Sequence, residues 1–430
     1  MLRKAGRIQQ SERAERGAPA ATAPAPERAQ WLLPDALALA RPVVSALQGA
    51  LPGRLVGLVG ELRRGRELVS QADVLVASSD PEATREIAAR MLRADLRVAD
   101  GDLEGEVDGF PVSVVVVSPI DLGGQSFRRT GSPEVVLAVD VRLAERGLAR
   151  MPFASERALL TAAGLADLPP ECRERAEAVN LASDGQLELI RRADVTAWLH
   201  VHTTWSDGAH DLEAMVRAAR KLGARVIGIS DHSRSAVYAR GLTAARLKEQ
   251  GKAIAALNAK NPDVKVLHGV ECDILADGTL DYPPDVLDRL DFVVASIHSD
   301  MSQPRATMTA RVIRALKHPK VRILAHPTSR VLLSRRGVAL DLDTVLAAAA
   351  ADDVAVEVNA NPARLDLDWR HHAQARRLGV KLALGVDAHD ANALADVDYG
   401  VHILRKGLVP AGQVINTWEP ERLVRWLRRG

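Results

Sequence analysis

Cysteine is nearly absent: 430 residues hold two, Cys172 and Cys272. That excludes a disulfide-built scaffold and fits a reducing cytoplasm. Aromatic residues are only 3%, too few for an extended surface on which successive nucleic-acid bases stack. No apolar run is long enough to span a bilayer, so a membrane-embedded protein is not expected. The opening MLRKAGRIQQSERAERG has no apolar stretch behind its basic side chains, so a secretory leader is not expected either. Neither charge sign dominates: 57 Lys and Arg against 55 Asp and Glu leave +2, which neither announces nor excludes a polyanion as partner. What is present is a 47% apolar composition, enough for sizeable cores, and a length that suggests about two or three domains.

Residues 1–33 read as a flexible segment. GAPAATAPAPER is rich in Ala and Pro, and residues 1–30 carry six basic and three acidic side chains. From 34 to 50 the spacing of Leu37, Leu39, Val43, Val44 and Leu47 predicts a helix, bent or split at Pro42. An α+β pattern follows, with strands expected at Val56–Val59, Val74–Ala77, Val112–Val117 and Val135–Val139, and a helix at Glu82–Leu92. Residues 154–192 read as mostly helical. The expected division is a unit at 34–150, a helical linker at 151–194 and a larger domain at 195–430.

From Thr196 the pattern changes to short apolar strands alternating with amphipathic helices. Seven strands are expected: Trp198–Val201, Val226–Ser230, Val264–Val270, Phe292–Ile297, Arg322–Ala325, Val354–Val358 and Leu382–Val386. Repeated strand–helix alternation implies a parallel sheet, and seven repeats imply a closed or nearly closed barrel. Nearly every strand ends in a potential metal ligand. The first runs into His200 and His202, with Asp207 just beyond. The others lead to His232, Glu271, His298, His326, and the pair Asp387 and His389. Parallel α/β barrels build their sites at the C-terminal ends of their strands, so these side chains converge. A lone histidine proves little; ionisable groups gathered on one rim would be costly to bury without metal. His210, His268, His318, His371, His372 and His402 do not fit the strand-end pattern as ligands. Cys272, next to Glu271, is read as a buried apolar residue facing the other way.

The stretches HVHTTWSDG, ISDHS, GVECDILADGTLDY, VVASIHS, AHPTSR and GVDAHD resemble the motifs of PHP (polymerase and histidinol phosphatase) domains over roughly residues 195–410. ECDILADGTLDYPPDVLDRLDFVVASIHS and EVNANPARLDLDWRHHAQARRLGVKLALGVDAH are similar to the PHP domain at the C-terminus of bacterial family X DNA polymerases. The resemblance implies a PHP (β/α)7 barrel in which nine side chains hold three divalent ions. All nine are matched: His200, His202, Asp207, His232, Glu271, His298, His326, Asp387 and His389. It also implies that Glu271 bridges two ions and that Asp207, His232 and His389 hold the third. Such mixed ligands suit Mn²⁺, Zn²⁺ or Fe²⁺ better than Mg²⁺ or Ca²⁺. The implied chemistry is hydrolysis of a phosphoester without a covalent intermediate. Arg330, Arg335 and Arg336, in the loop after His326, are candidates to grip substrate phosphates.

Upstream, GLVGELRRGRELVSQADVLVA resembles the strand–loop–strand of the family X palm, FRRTGS its nucleotide-binding turn and LPPECRE its thumb. The family's loop serine is Glu61 here. Its Asp-x-Asp pair is Gln71-Ala72-Asp73, and Ser113 aligns with its third aspartate. The resemblance therefore implies a degenerate polymerase-beta-like palm and thumb without polymerase activity, since two-metal nucleotidyl transfer needs those anions. Only about 50 residues precede the palm-like strand, with no helix–hairpin–helix pattern among them. The expected function is a metal-dependent phosphoesterase acting on DNA 3′ ends as a 3′-5′ exonuclease in repair, cytoplasmic and at the nucleoid when on DNA. A histidinol-phosphatase-like enzyme for phosphorylated small molecules, or a non-catalytic DNA-binding protein, are the alternatives. The sequence leaves the oligomeric state open.

Overall fold

The computed structural model describes residues 29–92, 97–99 and 102–429. Most of the segment read as a flexible lead-in lies outside them. Strand β1 (Trp31–Leu32) leads into helix α1 (Leu33–Ala50), followed by β2 (Val56–Val59), α2 (Gly60–Arg64), β3 (Leu68–Val69), β4 (Ala72–Ala77), α3 (Pro81–Leu92), β5 (Arg97–Ala99), β6 (Asp102–Val107) and β7 (Phe110–Val117). Five strands form a sheet of order β2-β4-β7-β6-β5, with β4 and β7 parallel and the other pairs antiparallel. Both faces of this sheet are covered. Val74, Val76, Val112 and Val114 pack under Ala36, Ala40, Val43 and Leu47 of α1. The alternate residues Leu75, Val115 and Val117 pack on the opposite face with Val59. Helix α1 is not split: it runs through Pro42, which is exposed, as is Ala38, whose carbonyl the proline leaves without a helical partner. Water can satisfy that carbonyl.

Four helices come next: α4 (Leu122–Thr130), α5 (Pro133–Glu145), α6 (Glu156–Ala162) and α7 (Glu177–Ser183). The expected strand at Val135–Val139 is the middle of α5. Ser132 caps that helix through a hydrogen bond from the Val135 N–H, Pro133 sits in its first turn, and Val135, Val139 and Leu143 share one buried face. Capping and i, i+4 burial outweigh the β-propensity of the valines. Residues 154–192 are helical only in part, with turns between α6 and α7 and after them. Phe127 and Val139 share a core with Leu159, Leu168 and Val179, so α4 and α5 pack with the helices that follow residue 150.

The remainder is a barrel. Its strands are β8 (Ala197–Val201), β9 (Val226–Ile229), β10 (Lys265–Asp273), β11 (Phe292–Ser296), β12 (Val321–Leu324), β13 (Ala355–Asn359) and β14 (Leu382–Ala388). All pair in parallel, and the ring closes from β14 to β8. Helices α8 (Leu212–Lys221), α9 (Ala244–Lys260), α10 (Pro284–Leu287), α11 (Arg305–Leu316), α12 (Leu342–Ala351), α13 (His372–Arg377) and α14 (Val397–Lys406) lie between and after the strands. A last helix, α15 (Pro420–Leu427), packs Leu423, Trp426 and Leu427 against Leu199, Leu267, Phe292 and Ile323. Phe292 fills the barrel interior because its neighbours are glycines: a Cβ on Gly228 or Gly269 would stand 2.7 or 2.6 Å from the ring. Among the described residues no helix is long and apolar enough to cross a membrane.

Ion pairs join the three parts. Arg64 of α2 meets Glu174 at 3.0 Å, and Lys406 of α14 reaches the same carboxylate at 2.9 Å. The Arg64 carbonyl accepts from Lys406 Nζ at 2.8 Å and His402 Nε2 at 2.9 Å. Arg63 and Arg173 share Glu156. Burial alone would raise these two carboxyls. Lys406 and Arg64 around Glu174, and Arg173 and Arg63 around Glu156, outweigh it and hold both at about 2, against an ordinary 4.5. A depressed carboxyl stabilises the fold above its unfolded value and stops doing so as pH falls through its folded value. We therefore expect stability to fall between about pH 4.5 and pH 2 in part through this joint. Glu174→Ala, which strands Lys406 and Arg64, should cost about 3–5 kcal/mol in denaturant unfolding at neutral pH, and should flatten the acid limb.

Candidate metal centre

The barrel strands end where their candidate ligand side chains turn inward. His200, His326 and Asp387 hold left-handed φ angles of 60°, 21° and 48°. The pairing register slips beside the first and last of them, between Trp198 and Val201 and between Gly385 and Ala388. Strained backbone of this kind costs about 1–3 kcal/mol per residue and persists where surrounding structure enforces it.

The nine strand-end residues meet on this rim. Every one belongs to a group whose donor atoms lie within 4.8 Å of one another, and among the described residues no other side chain joins such a group. The groups are His200 with Glu271 and His326; His200 with His202 and Asp387; His232 with Glu271 and His298; and Asp207 with His202, His232 and His389. Glu271 divides its oxygens. Oε1 faces His326 Nε2 at 3.1 Å and His298 Nε2 at 3.3 Å. Oε2 faces His232 Nδ1 at 2.9 Å, His200 Nε2 at 3.4 Å and His202 Nε2 at 3.5 Å. Asp387 Oδ1 stands 3.3 Å from His202 Nε2, and Asp207 Oδ1 3.4 Å from His389 Nε2. His200 and His202 are fully buried, whereas the side chains of Asp207 and His389 are 29% and 40% exposed, so the cluster opens to solvent on their side.

Electrostatics follow from this crowding. Burial would raise the Glu271 carboxyl, but His232, His200 and His298 overrule it and hold it well below its ordinary value. Burial would lower His298, yet Glu271 and Asp273 push it up to about 10. His202 is depressed to about 3, by burial and by His389 and His232. Despite the crowding, His200 Nε2, both ring nitrogens of His202, His232 Nδ1 and Glu271 Oε2 have no hydrogen-bond partner although they are buried. Buried polar atoms are rarely left so. Aimed at one another from three neighbouring strand ends, they have the donor chemistry and spacing of a site for several divalent cations.

Two buried carboxylates orient the imidazoles, and sequence reasoning missed both. Glu357 Oε1 accepts from His200 Nδ1 at 2.6 Å, while Oε2 accepts from the His326 N–H at 2.6 Å and from Asn359 Nδ2 at 3.0 Å. Asp273 Oδ1 accepts from His298 Nδ1 at 2.6 Å. A carboxylate behind a histidine fixes its tautomer and leaves the other nitrogen free to ligate. Strand β13 offered no ligand at its end, and that gap was the one available sign that its contribution lies within it. Asp231 is equally buried. It accepts from Thr203 N–H at 2.8 Å, Thr203 Oγ1 at 2.7 Å and Gln250 Nε2 at 2.5 Å, pinning the loop that carries Asp207.

A cavity of about 370 Å³ stands over the cluster, lined in part by Tyr238, Met301, Arg335 and Arg364. Of the three loop arginines singled out from the sequence, Arg335 alone lines it. Arg330 is turned to Asp368 and the carbonyls of Arg364 and Leu365, and Arg336 is exposed outside the cavity. Arg364, not anticipated, brings Nε to 3.4 Å from Asp387 Oδ2 and keeps a buried Nη1 without a partner. Cys272 faces the core outside the barrel, where burial pushes its thiol up to about 12.

The palm-like strands hold a different arrangement. Asp73 and Ser113 are register partners on β4 and β7, and Asp73 Oδ1 accepts from Gln71 Nε2 at 2.6 Å. Glu61 is drawn into its own loop, accepting from the Ser70 N–H and Oγ at 2.9 Å each. Among the described residues no group of three potential metal ligands forms there.

A closed seven-stranded parallel barrel with six imidazoles and three carboxylates on its C-terminal rim defines a PHP-type fold, and the sequence profile of the PHP domain matches residues 199–361. The DNA polymerase/3′-5′ exonuclease PolX of Bacillus subtilis (strain 168) is 37% identical over 388 residues, which cover 86% of this chain and 68% of that protein. The chain belongs to the PolX family and carries its PHP domain. Shorter relatives align over part of the chain. A probable phosphatase of Caldicellulosiruptor bescii is 31% identical over 206 residues, 44% of this chain and 78% of that protein. One of Thermoanaerobacter sp. (strain X514) is 28% identical over 229 residues, 51% of this chain and 89% of that protein.

The Glu357 contact gives a test of the orienting layer. A Cβ on Gly385 would press on Glu357, coming within 2.9 Å of its Cγ and closer to Oε1. Gly385→Ala should lower stability by about 1–3 kcal/mol in thermal unfolding, more than Gly49→Ala, where a Cβ meets nothing within 4 Å.

Proposed function

We propose that the protein is a metal-dependent phosphoesterase that removes nucleotides from DNA 3′ ends, and that its palm-like unit does not polymerise. The observation that carries this reading is the convergence of nine ligand-type side chains, among which His200, His202, His232 and Glu271 keep buried donor atoms without hydrogen-bond partners. His200, His202, Asp207, His232, Glu271, His298, His326, Asp387 and His389 would hold three divalent ions, Mn²⁺ or Zn²⁺ with Fe²⁺ as a further fit. The two-sided contacts of Glu271 suit a ligand shared between ions, and Asp207, His232 and His389 suit the third. When bound, such ions acidify a water and neutralise charge on the oxygens of the phosphoryl group. The chain's own residues do the rest. Glu357 and Asp273 hold His200 and His298 in place, and Arg364 and Arg335 present guanidinium N–H groups to the phosphate oxygens. The oxygen of water bonds to phosphorus, the bond from phosphorus to the penultimate 3′ oxygen breaks, and that oxygen takes the proton. A 5′-mononucleotide leaves.

The DNA substrate is supported by kinship with a named 3′-5′ exonuclease over most of the chain. The absence of polymerisation is supported by Gln71 and Ser113, which leave Asp73 as the single carboxylate where two-metal transfer requires several. We take residues 34–150 as the palm-like unit, 151–194 as thumb-like remnant and linker, and 195–430 as the phosphoesterase. A second reading, hydrolysis of a phosphorylated small molecule, is favoured by the modest cavity and by the probable-phosphatase relatives.

Cleavage of a 5′-labelled oligonucleotide with Mn²⁺ separates the two. A ladder shortening from the 3′ end supports the nuclease; an intact oligonucleotide beside hydrolysis of histidinol phosphate supports the phosphatase. Chelation should abolish either activity. His298→Ala and Asp387→Asn should abolish turnover and lower bound metal measured by elemental analysis, and full turnover with undiminished metal in either would overturn the ligand set. Glu357→Gln should weaken metal affinity about 10–100-fold. Asp73→Ala should leave hydrolysis largely intact.

A further inference from the structure

The chain has six Trp, three Tyr and four Phe, all among the described residues. Tyr238 alone of these is exposed, at 72%, and beside it Val237 is 80% exposed. Its place is the wall of the cavity over the metal centre. The ring lies 6.2 Å from that of His232 and 6.4 Å from that of His298, centroid to centroid. Arg335 and Arg364 line the same cavity.

The turn that carries Tyr238 is built to hold it there. Residues Val237–Ala239 form one 3-10 turn between the buried methyls of Ala236 and Ala239. The Ser235 N–H donates to Asp281 Oδ2 at 2.7 Å, and Ser235 Oγ to Asp273 Oδ2 at 2.6 Å. Asp273 is the carboxylate that also orients His298, so turn and cluster share an anchor. A Cβ on Gly241 would strike the Ser233 carbonyl, which keeps the far end of the turn in close contact as well. A site that takes only phosphate has no use for an exposed ring at a fixed position. A phosphate that carries a base does, because every base has a face on which an aromatic ring can stack.

We propose that Tyr238 is a stacking platform for the 3′-terminal base of the substrate. The proposal rests on the nuclease reading above. Composition excludes a multi-base platform; one ring at the mouth serves one base.

The test compares two 5′-labelled single-stranded oligonucleotides, one with an ordinary 3′-terminal nucleotide and one whose terminal nucleotide is abasic. Tyr238→Ala should raise KM on the ordinary end about tenfold, within the range expected for loss of one stacking ring, with kcat little changed. On the abasic end the substitution should lose most of that effect. Tyr238→Phe should behave as wild type, since the ring stacks and the hydroxyl does not. An equal factor on both ends, a phenylalanine variant as impaired as the alanine one, or no effect of alanine would each overturn the stacking role. A melting curve of each variant guards against misfolding. If the wild-type protein cuts neither oligonucleotide yet hydrolyses a small phosphomonoester, the nuclease reading itself has failed and the platform with it.

Discussion

One buried carboxylate, Glu271, sets the terms for the open end of the barrel. It is 1% exposed and stands within 3.5 Å of five imidazoles. An ionised carboxylate in that position is tolerable only if cationic groups surround it, and histidines so crowded cannot all be protonated at once. The arrangement is self-consistent when divalent charge is shared among the ligands, which lets the imidazoles stay neutral and the carboxylates ionised. The strained φ angles at His200, His326 and Asp387 and the register slips beside two of them are the backbone's side of the same constraint.

The layer behind the cluster explains why the rim is rigid. Glu357 ties His200 to the His326 backbone, and Asp273 ties His298 to the turn at Val237–Ala239. His200, His298 and the cavity wall are thereby held by buried carboxylates rather than by separate loops. Below them Phe292 and the small residues around it fill the interior, and α15 packs against that layer. The chemistry is confined to one end because the other is packed solid.

The palm-like unit has its cations committed elsewhere. Arg63 and Arg64, in the stretch that resembles the strand–loop–strand of the family X palm, are paired with Glu156 and Glu174, and Lys406 of the barrel joins the second pair. Gly65 closes this loop with a φ of 58° against His402, where a Cβ would collide with the imidazole. Side chains that could neutralise phosphates instead neutralise carboxylates at a joint between units. That use accords with the proposed absence of polymerisation.

The sequence by itself determined a parallel sheet, closed or nearly closed, because seven apolar strands alternate with amphipathic helices; the pairing of β14 with β8 decided the closure. The sequence also marked the nine rim residues, because the end of a parallel strand is a fixed place in such a fold. Local periodicity was insufficient where two propensities competed. Val135–Val139 reads as a strand until Ser132 and the core around Phe127 make it a helix. The proline in α1 reads as a break until its face is seen to be exposed. Tertiary structure alone decided the partners of the ligands and the wall of the cavity. Glu357 lies inside a strand, Arg364 five residues beyond its end, and Tyr238 in a short turn with no periodic pattern. Their roles are fixed by what other strands bring beside them: His200 at 2.6 Å from Glu357, Asp387 at 3.4 Å from Arg364, and the His232 and His298 rings beside Tyr238, neighbours that the local periodicity of each segment does not register.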